Sequence, residues 1–466
     1  MAPARLSILF LLCALPLGLL LARLTPPGEV PDETAHAVRA YAVSSGQWIG
    51  RRAPAGPGQT LLTSGYDIDT GLFAVAFASN APGGLVTAEL ARERGATGWS
   101  GTTVFASVPN TASYAPVLYL VSGAALGAGR SLGMGPAFCL QVARMANLLA
   151  YAVLGALALR LARRAHFVLL ALLCLPSSLS LAASLSQDGL LIAFSALATA
   201  LLTRPGFPSR RWAALALAAV CLAKPPYLPL VVLLLLPPGR WRWAEAVSGA
   251  GLAVVAALPA LLWSAAAVRW AVVPFTTETY APGPLYTGAQ TSFETTDSGA
   301  QAAILLTDPV RLLSLPLHTA AVWWRVWLNE VVGVLGQLSL VLPGGLYAAW
   351  FAALSCALAG DVLSARRDAT PWGAGRAALT AGAVALAALL VFTAQYLTWT
   401  HVGADIVAGV QGRYFVPLLA ALVLAVPAVP VLRGAAAGVF AAPVAAVSAG
   451  QFLAIPLLVV RKWYLH

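Results

Sequence analysis

The chain contains 466 residues, of which 59% are hydrophobic and 10% are charged, with a formal net charge of +11. A water-soluble domain is about half apolar and about a quarter charged, so this composition excludes a soluble globule, a disordered chain and a nucleic-acid-binding module. In a membrane protein the positive charge is explained by arginines that hold short loops in the cytoplasm. The sequence therefore predicts a polytopic membrane protein of the all-α class.

The first apolar run extends from Ser7 to Ala22 and follows the single cation Arg5. Its length is compatible with the core of a signal peptide, but no small-x-small cleavage site with a polar mature start follows it. We therefore interpret this run as an uncleaved first span with its N-terminus in the cytoplasm.

Further apolar runs follow along the chain, and they predict roughly eleven to twelve crossings of about 20 residues each. The run 212–236 is interrupted by Lys224-Pro225-Pro226, which predicts a hairpin of two half-helices. If residues 160–164 face the cytoplasm, the runs 114–129 and 137–160 cannot both be full crossings, and the sequence leaves that choice open. The candidate spans are 6–22, 114–129, 137–160, 166–186, 189–203, 212–236, 246–267, 344–360, 377–397, 414–432 and 435–460.

Three long polar loops interrupt the spans and contain 13 of the 17 carboxylates; they lie at residues 24–112, 268–343 and 398–413. The short loops are rich in arginine, which assigns them to the cytoplasm; they lie at 204–211, 239–242 and 365–376. The long loops then face the periplasm or the cell exterior. Because there is no internal repeat and no detached soluble domain, residues 1–466 are predicted to form one membrane-embedded bundle whose long first outer loop carries short interfacial helices.

The cysteines lie in apolar runs, without CxxC spacing and without a neighbouring histidine cluster. Disulfides and a thiolate metal site are therefore not expected. The residues concerned are Cys13, Cys139, Cys174, Cys221 and Cys356.

The first loop opens with acids, an imidazole and a guanidinium at helical spacing: Asp32 and Glu33 follow Pro31, and His36 and Arg39 come one and two turns later. Either acid projects on the same face as His36 and Arg39. Spacing alone leaves two interpretations open, a helix cap with a solvated ion pair or a general base at the membrane surface. The position just outside the first span favours the second. Asp32 and Glu33 are then the candidate catalytic residues, His36 a substrate contact and Arg39 a phosphate contact.

A second motif, Gln411-Gly412-Arg413-Tyr414, leads into a late span. A guanidinium at the membrane surface can hold two phosphate oxygens in one plane, so Arg413 is the first candidate for binding a donor phosphate. Gln411 and Tyr414 are candidate substrate contacts. The alternative is an interface anchor in which Arg413 extends its charge to the water.

Two ionisable residues lie within or between apolar runs. Asp188 follows Ser186, and Lys224 precedes Tyr227 by three positions. Ionisable groups at membrane depth are costly and usually functional, so Lys224 is a second candidate for the phosphate and Asp188 and Tyr227 are candidates for substrate binding. The plain alternatives are a helix N-cap at Asp188 or Ser186 and a snorkelling Lys224.

Five motifs occur in order along the chain: Pro31-Asp-Glu-x-x-His-x-x-Arg-Ala-Tyr41, Ser184-x-Ser-x-Asp188, Lys224-x-Pro-Tyr227, Leu335-Gly-Gln-Leu-Ser-Leu-Val-Leu-Pro343 and Gly409-Val-Gln-Gly-Arg-Tyr-Phe-x-Pro417. Together they resemble the bacterial membrane family called domain of unknown function 2142. The resemblance extends from Pro26 to Pro417. One segment departs from the family pattern, because Leu335-Gly-Gln-Leu-Ser stands where Leu-Gly-Trp-Leu-Asp is expected.

That family is similar in plan to the GT-C superfamily of integral membrane glycosyltransferases. The resemblance implies a GT-C-like bundle, a polyprenyl-phosphate-linked sugar donor and a first-loop carboxylate as the acid/base group. By this resemblance Asp32 and Glu33 correspond to the first-loop acidic motif, and Asp188 to the second-loop acid. We therefore expect a multi-pass enzyme of the bacterial cytoplasmic membrane, with its active site on the periplasmic or outer face. Its reaction would be an inverting transfer to a polysaccharide, a lipid-linked glycan or a protein.

The sequence implies no cofactor firmly and predicts no metal ligands, although three converging carboxylates would leave room for a divalent metal. The expected partners are the lipid-linked sugar donor, a glycan or lipid-linked acceptor and the lipid bilayer, but no nucleic acid. A transporter or flippase of lipid-linked saccharides is the competing hypothesis, since broken helices and intramembrane charges fit it too. The missing repeat and the acids in the outer loops argue against it. An O-antigen polymerase or ligase is a third hypothesis, but it would be expected to depend on arginines and a histidine in a late outer loop.

Overall fold

The computed structural model describes residues 3–55, 61–78, 80, 84–204, 206–235, 243–274, 276–278, 293–364, 372–427 and 436–465. This part of the chain is mostly helical, as the composition predicts. Its α-helices are α1 (Pro3–Leu24), α2 (Glu33–Ser44), α3 (Thr70–Ala76), α4 (Ala88–Ala96), α5 (Pro109–Ala112), α6 (Leu120–Ser131), α7 (Pro136–Leu161), α8 (His166–Cys174), α9 (Pro176–Ala182), α10 (Gln187–Leu202), α11 (Phe207–Ala223), α12 (Trp243–Trp270), α13 (Ser298–Thr307), α14 (Arg311–Val332), α15 (Gly344–Leu363), α16 (Ala374–Thr398), α17 (Val416–Leu422) and α18 (Ala442–Trp463).

Short 3-10 helices and strands complete the described elements. The 3-10 helices are Val117–Tyr119, Pro225–Leu235, Gly412–Tyr414, Val423–Ala425 and Ala436–Ala441. The strands are β1 (Arg51–Pro54), β2 (Leu62–Asp69), β3 (Thr103–Ser107), β4 (Thr276–Glu278), β5 (Phe293–Thr295), β6 (Val334–Leu335) and β7 (Leu340–Val341).

Among the described residues, six helices are long and apolar enough to cross a membrane: α1, α7, α12, α15, α16 and α18. The pair α9 and α10, bent by 118°, adds a seventh if it is one broken span. The described residues therefore contain fewer continuous apolar helices of spanning length than the roughly eleven to twelve crossings predicted. In the described residues of the other apolar runs the helices are short or interrupted, and prolines such as Pro176 and Pro225 contribute to the breaks because they remove backbone donors. These runs are 114–129, 166–186, 189–203, 212–236 (described to 235) and 414–432 (described to 427).

Helix length answers the open question about residues 114–160. The helix α6 has 12 residues and extends about 18 Å, which is too short for a hydrocarbon core of about 30 Å. The next helix, α7, has 26 residues and is long enough. The full crossing in this region is therefore α7.

The predicted hairpin at residues 212–236 is confirmed. Helix α11 ends at Ala223, Lys224 is extended, and a 3-10 helix continues from Pro225. The Arg210 guanidinium, near the start of α11, donates a hydrogen bond to the carbonyl of Leu234. The second limb therefore returns alongside the first, and Lys224 lies at the tip of the hairpin.

Arginine-rich turns collect at one end of the bundle, which we call the arginine end. The backbone N–H of Arg163 donates to Thr203 Oγ1 at 2.9 Å, and Arg164 donates to the carbonyl of Val426 at 2.8 Å. The turns after α7 and α10 and the end of the 412–425 segment therefore meet there, whereas the hairpin tip at Lys224 lies at the opposite end. The predicted loop at 239–242, and residues 365–371 of the next one, lie outside the described residues. Which end faces the cytoplasm stays a prediction.

The first apolar run is an integral part of the bundle. Phe10, Ala14 and Leu17 of α1 are fully buried, and Ser7 Oγ donates to the carbonyl of Ala156 in α7 at 2.8 Å. At the other end of the same pair, Gln141 Nε2 donates to the carbonyl of Ala22. The two helices are thus antiparallel and packed along their length.

The first loop contains a three-stranded antiparallel sheet of order β1-β2-β3, which the all-α prediction missed. Tyr66 and Ile68 of β2 are buried in one core with Val38 of α2. A Cβ at Gly65 would collide with the carbonyl oxygen of Ala106 on β3, so glycine is required where these strands approach. The sheet packs on α2 and holds it against the bundle.

Candidate functional site

Asp32 occupies the N-cap position of α2 with a left-handed backbone, φ 61°, but its side chain makes no capping hydrogen bond. Instead Asp32 Oδ2 lies 2.6 Å from Arg413 Nη2, and Oδ1 accepts from Asn110 Nδ2 at 3.2 Å. The helix-cap interpretation of this acid is therefore wrong. Loop contacts and a residue 381 positions away orient the carboxylate instead.

The protonation of Asp32 is set by opposing effects. Burial raises the pKa of its carboxyl, but the positive charge of Arg413 and the hydrogen bond that Arg413 donates lower the pKa below its usual range. The carboxylate is therefore ionised at neutral pH. Its side chain is 37% exposed, so it can accept a proton from a molecule that arrives from outside.

Asp188 is the second acid at the site, and its pairing answers two questions left by the sequence. Ser186 Oγ accepts from the backbone N–H of Asp188, so Ser186 is the helix cap. The Asp188 carboxylate lies 2.9 Å from Lys224 Nζ and 3.5 Å from Arg413 Nε. Lys224 therefore makes an ion pair inside the protein and does not snorkel.

Asp32, Arg413, Asp188 and Lys224 thus form a row of alternating charges, which we call the charge row. Arg413 is only 7% exposed and bridges the two acids. The interpretation of Arg413 as an interface anchor is therefore wrong. Lys224 ends the row, with its Nζ 3.9 Å from the centroid of the Tyr414 ring.

The segment that carries Arg413 packs against α14. The backbone N–H of Gly412 donates to Glu330 Oε2 at 2.5 Å, and Glu330 is buried. A Cβ at Gly412 would collide with the carbonyl oxygen of Trp327. Glycine is therefore needed for close approach between this segment and α14, which sets the position of the neighbouring guanidinium.

A cavity of about 560 Å³, which we call the main cavity, borders the charge row. Ligand pockets typically have volumes of about 300–1,000 Å³. Its charged and polar lining includes Asp32, Asn110, Lys224, Gln411 and Tyr414 but not Arg413 or Asp188. Further lining comes from α16, the segment after α12 and the prolines of the hairpin; it includes Val391, Ala394, Gln395, Thr398, Val272, Val273, Pro225 and Pro226. Two of the predicted substrate contacts, Gln411 and Tyr414, therefore line a cavity next to the predicted base.

Glu33 lies next to Asp32 in sequence but in a different environment. Arg144 donates to both of its oxygens, from Nε at 2.7 Å and Nη2 at 2.5 Å. The backbone N–H groups of Gly28 and Leu185 donate to the same carboxylate. Glu33 and Arg144 are both buried, with 2% and 3% of their side chains exposed. This carboxylate is fully occupied by protein donors.

The predicted contacts Arg39, His36 and Tyr227 do not reach the main cavity's described wall. Arg39 is fully buried and donates to the carbonyls of Gln47, Trp48 and Tyr114, so it ties the first loop together. This occupancy does not support its predicted role as a phosphate contact.

His36 and Tyr227 are also bound by the protein. His36 is buried, with Nδ1 2.6 Å from Tyr119 Oη and Nε2 3.3 Å from Ser186 Oγ. Tyr227 is buried, and its hydroxyl donates to the carbonyl of Tyr414 at 2.9 Å. His36 thus contacts the segment that precedes Asp188, and Tyr227 contacts the residue that follows Arg413.

A family model described as "Predicted membrane protein (DUF2142)" matches residues 15–422 of the chain. The chain belongs to this family. The family resemblance seen in the motifs is confirmed, and the match includes every member of the charge row. No curated protein and no solved structure matches the chain. The wider similarity to GT-C enzymes stays a prediction.

Sequence reasoning missed three residues that shape the site in this DUF2142 protein. Arg144 gave a usable signal, because it is an arginine inside the apolar run 137–160. Asn110 gave none, since polar residues are ordinary in loops, whereas Gln337 stands at a position where the chain departs from the family pattern. Their importance depends on tertiary contacts with Asp32 and Gly28.

The sequence left room for a divalent metal if three carboxylates converged. In the described part of this DUF2142 chain, no group of three His, Cys, Asp or Glu residues could hold a metal ion. Asp32 and Asp188 are instead bridged by Arg413.

Proposed function

We propose that this protein is a membrane glycosyltransferase that transfers a sugar, with inversion, from a polyprenyl-phosphate-linked donor to a cell-envelope acceptor. The observation that carries the proposal is an ionised carboxylate, Asp32, that lines the main cavity together with the cation Lys224 and is paired with a second cation, Arg413. A displacement with an anionic leaving group needs a base for the acceptor and positive charge for the leaving group. The charge row supplies both.

In the proposed reaction, the acceptor hydroxyl oxygen attacks the anomeric carbon of the donor sugar while Asp32 takes the hydroxyl proton. The bond between the anomeric carbon and the phosphate oxygen breaks, and its electron pair leaves with the polyprenyl phosphate. Arg413 and Lys224 stabilise the developing negative charge. Asp188 is a positioning residue, since it holds both cations.

Donor binding also prepares the base. Arg413 Nη2 lies 2.6 Å from Asp32 Oδ2, and its positive charge lowers the basicity of the Asp32 carboxylate. A phosphate that draws the guanidinium away would raise the pKa of Asp32 towards its usual value. The carboxylate would then be a stronger base when the donor is present.

Free bonding capacity favours Asp32 over Glu33 as the base. The Glu33 carboxylate already accepts from Arg144 and two backbone N–H groups and is buried. Asp32 is partly exposed and borders the main cavity. We therefore assign catalysis to Asp32 and a structural role to Glu33.

A lipid-linked donor suits the form of the main cavity. Its charged lining can bind a phosphate. Its apolar lining offers contacts for an isoprenoid chain; it includes Val272, Val273, Pro225 and Val391. The surrounding helices are apolar enough to cross a bilayer, so such a chain can enter from the lipid. We propose that the site faces the outer side of a bacterial cytoplasmic membrane, with the arginine end inside. The proposal requires no cofactor beyond the side chains named.

A flippase for lipid-linked saccharides is a second candidate. It is favoured by the 118° bend between α9 and α10 and the hairpin tip at Lys224, because discontinuous helices that meet at charges are typical of transporters. The two functions predict accumulation of the lipid-linked sugar on different faces of the membrane, so one experiment separates them if it also tests whether that sugar is accessible from outside the cell.

The experiment is mass spectrometry of envelope glycans and lipid-linked sugars from a deletion strain. The strain carries the wild type, Asp32→Asn, or the control Asp67→Asn, which removes an exposed first-loop acid paired with Arg51. The transferase predicts that Asp32→Asn fails to restore a missing sugar while its lipid-linked donor accumulates on the outer face. Accumulation on the cytoplasmic face would support the flippase. Full restoration by Asp32→Asn would refute the proposed catalysis.

A further inference from the structure

A second, more open cavity of about 240 Å³ also borders Asp32; we call it the first-loop cavity. It lies against the start of α2, the end of β3 and the segment before α5. Four residues line both cavities: Asp32, Pro109, Asn110 and Gln337. The predicted base and these three neighbours therefore form a wall that the two cavities share.

The amides in this wall are held by few contacts. Asn110 Nδ2 donates to Asp32 Oδ1 at 3.2 Å, and Gln337 Nε2 donates to the carbonyl of Gly28 at 2.5 Å. The other Asp32 oxygen, Oδ2, is bound by Arg413. Oδ1 accepts from this neutral amide and is the oxygen that keeps accepting capacity for a hydroxyl proton.

The two cavities differ in the chemistry of their walls. The main cavity includes the cation Lys224, whereas the described lining of the first-loop cavity contains no Lys or Arg. It offers the hydroxyl groups of Thr34 and Ser107 and the ring of Phe77. That ring is 37% exposed, and its centroid lies 4.3 Å from that of Phe73, which holds it in a stack.

We propose that the first-loop cavity binds the terminal sugar of the acceptor, an uncharged ring whose nucleophilic hydroxyl meets Asp32 Oδ1. An apolar ring face together with a few placed hydroxyl and amide groups is the lining that a neutral sugar requires, since its own surface alternates C–H faces and hydroxyl edges. The donor sugar and phosphate then occupy the main cavity, and Asp32 lies between them. This inference rests on the proposed transferase function.

The test uses two substitutions that change the first-loop cavity and leave the charge row intact. Phe77→Ala removes the ring, and Ser107→Trp fills the space from an exposed strand position. The matched controls are Trp48→Ala, which removes an exposed aromatic elsewhere in the first loop, and Thr103→Trp, an exposed position on the same strand. Thermal unfolding in detergent checks that each variant is folded.

The assay combines purified protein with acceptor glycan and lipid-linked sugar isolated from the deletion strain, and it measures both sugar transfer and donor hydrolysis. We expect both cavity variants to raise the KM for the acceptor about tenfold or more, the loss of roughly one good contact. The KM for the donor and the rate of hydrolysis should stay within about twofold of wild type, as should all parameters of the controls.

Two failures are distinguishable. Wild-type acceptor KM values in folded Phe77→Ala and Ser107→Trp would refute the acceptor site while leaving the transferase standing. Wild-type protein that neither transfers nor hydrolyses the lipid-linked sugar would refute the transferase, and the acceptor site with it.

Discussion

Two acid–arginine pairs begin at adjacent residues and have opposite surroundings. Glu33 pairs with Arg144, both almost completely buried, and Asp32 pairs with Arg413 beside two cavities. The pairs look equivalent in sequence, since each is an acid at the start of α2. In the structure the two acids differ in their arginine partners and in how much hydrogen-bonding capacity each carboxylate has left.

Both oxygens of the Glu33 carboxylate are bound by protein donors, although Glu33 is also among the residues that line the first-loop cavity. Besides binding both Glu33 oxygens, Arg144 donates to the carbonyls of Ala22, Thr25 and Pro26 at the end of α1. It thereby joins α1, α2 and α7 at the level of the site. The Asp32 pair is open, because its carboxylate is partly exposed. A carboxylate whose oxygens are all bound by the protein suits a structural role. A partly exposed carboxylate suits a group that must contact a substrate.

The largest expected effect is on stability, at the Glu33 pair. Removal of one partner of a buried ion pair leaves an uncompensated charge and typically costs about 3–5 kcal/mol. We expect that loss for Arg144→Ala, measured by thermal or denaturant unfolding in detergent. Asp32→Asn should cost about 1 kcal/mol or less, because the pair is partly exposed and asparagine tolerates a left-handed backbone. Equal destabilisation by the two substitutions would remove the distinction between the pairs.

A second prediction concerns phosphate binding at the open pair. Arg413→Ala should weaken binding of a short-chain polyprenyl phosphate about ten- to a hundredfold, because it removes charge-assisted hydrogen bonds of about 1.5–3 kcal/mol each. Arg413→Lys should recover part of the loss, since an ammonium is a point charge and cannot bind two oxygens in one plane. Isothermal titration with the purified variants measures this. The control Arg51→Ala removes an exposed guanidinium of the first loop; equal affinity of Arg413→Ala and the control would show that Arg413 does not bind the donor.

A smaller effect is expected in the pH dependence of stability. Burial, together with the positive charges of Arg413 and Lys224, lowers the pKa of His36 to about 4. The negative charges of Asp32 and Asp188 act in the opposite direction but do not cancel this effect. The unfolded chain takes up a proton near pH 6.5, so between about pH 6.5 and 4 it binds more protons than the folded chain. Folding stability should therefore fall as the pH falls through this window, by at most about 1.4 kcal/mol per pH unit from this residue.

The variant His36→Gln tests that assignment, because an amide can replace the contacts of the ring without titrating. Its unfolding temperature, measured from pH 7 to pH 5, should fall less steeply than that of the wild type. The same slope in both proteins would assign the acid sensitivity to other groups.

The sequence predicted the helical class and the break at Lys224, and it singled out each of the four residues that the structure brings together in the charge row. For Lys224 the signal was physical, because a charge inside an apolar run is costly and therefore informative; Arg144 carries the same signal. Asp32 and Arg413 were singled out by loop motifs instead, and their roles in catalysis and binding stay predictions. Hydropathy gave more crossings than there are continuous apolar helices of spanning length among the described residues, since it counts apolar residues whether or not they form one helix.

Other features depend on contacts between distant residues and could not be predicted. Helical spacing placed Glu33, His36 and Arg39 on a shared face with Asp32, but it carries no information about Arg144, which lies 111 residues from Glu33, or about the loop carbonyls that bind Arg39. The sheet of the first loop was missed because its outer strands β1 and β3 are short and mostly exposed or half-buried, and the central strand β2 lies in a polar stretch without a continuous apolar run.

The assignment of Asp32 as the base is tested most directly by the single-turnover rate of sugar transfer by Asp32→Asn, with the donor at a saturating concentration. A general base contributes about 10²- to 10⁴-fold to the rate, and the amide cannot accept the proton in the same way. We predict a rate loss in that range, in protein that is folded and still binds the polyprenyl phosphate. A rate within about threefold of wild type would contradict the assignment, because a loss that small lies far below the contribution of a general base.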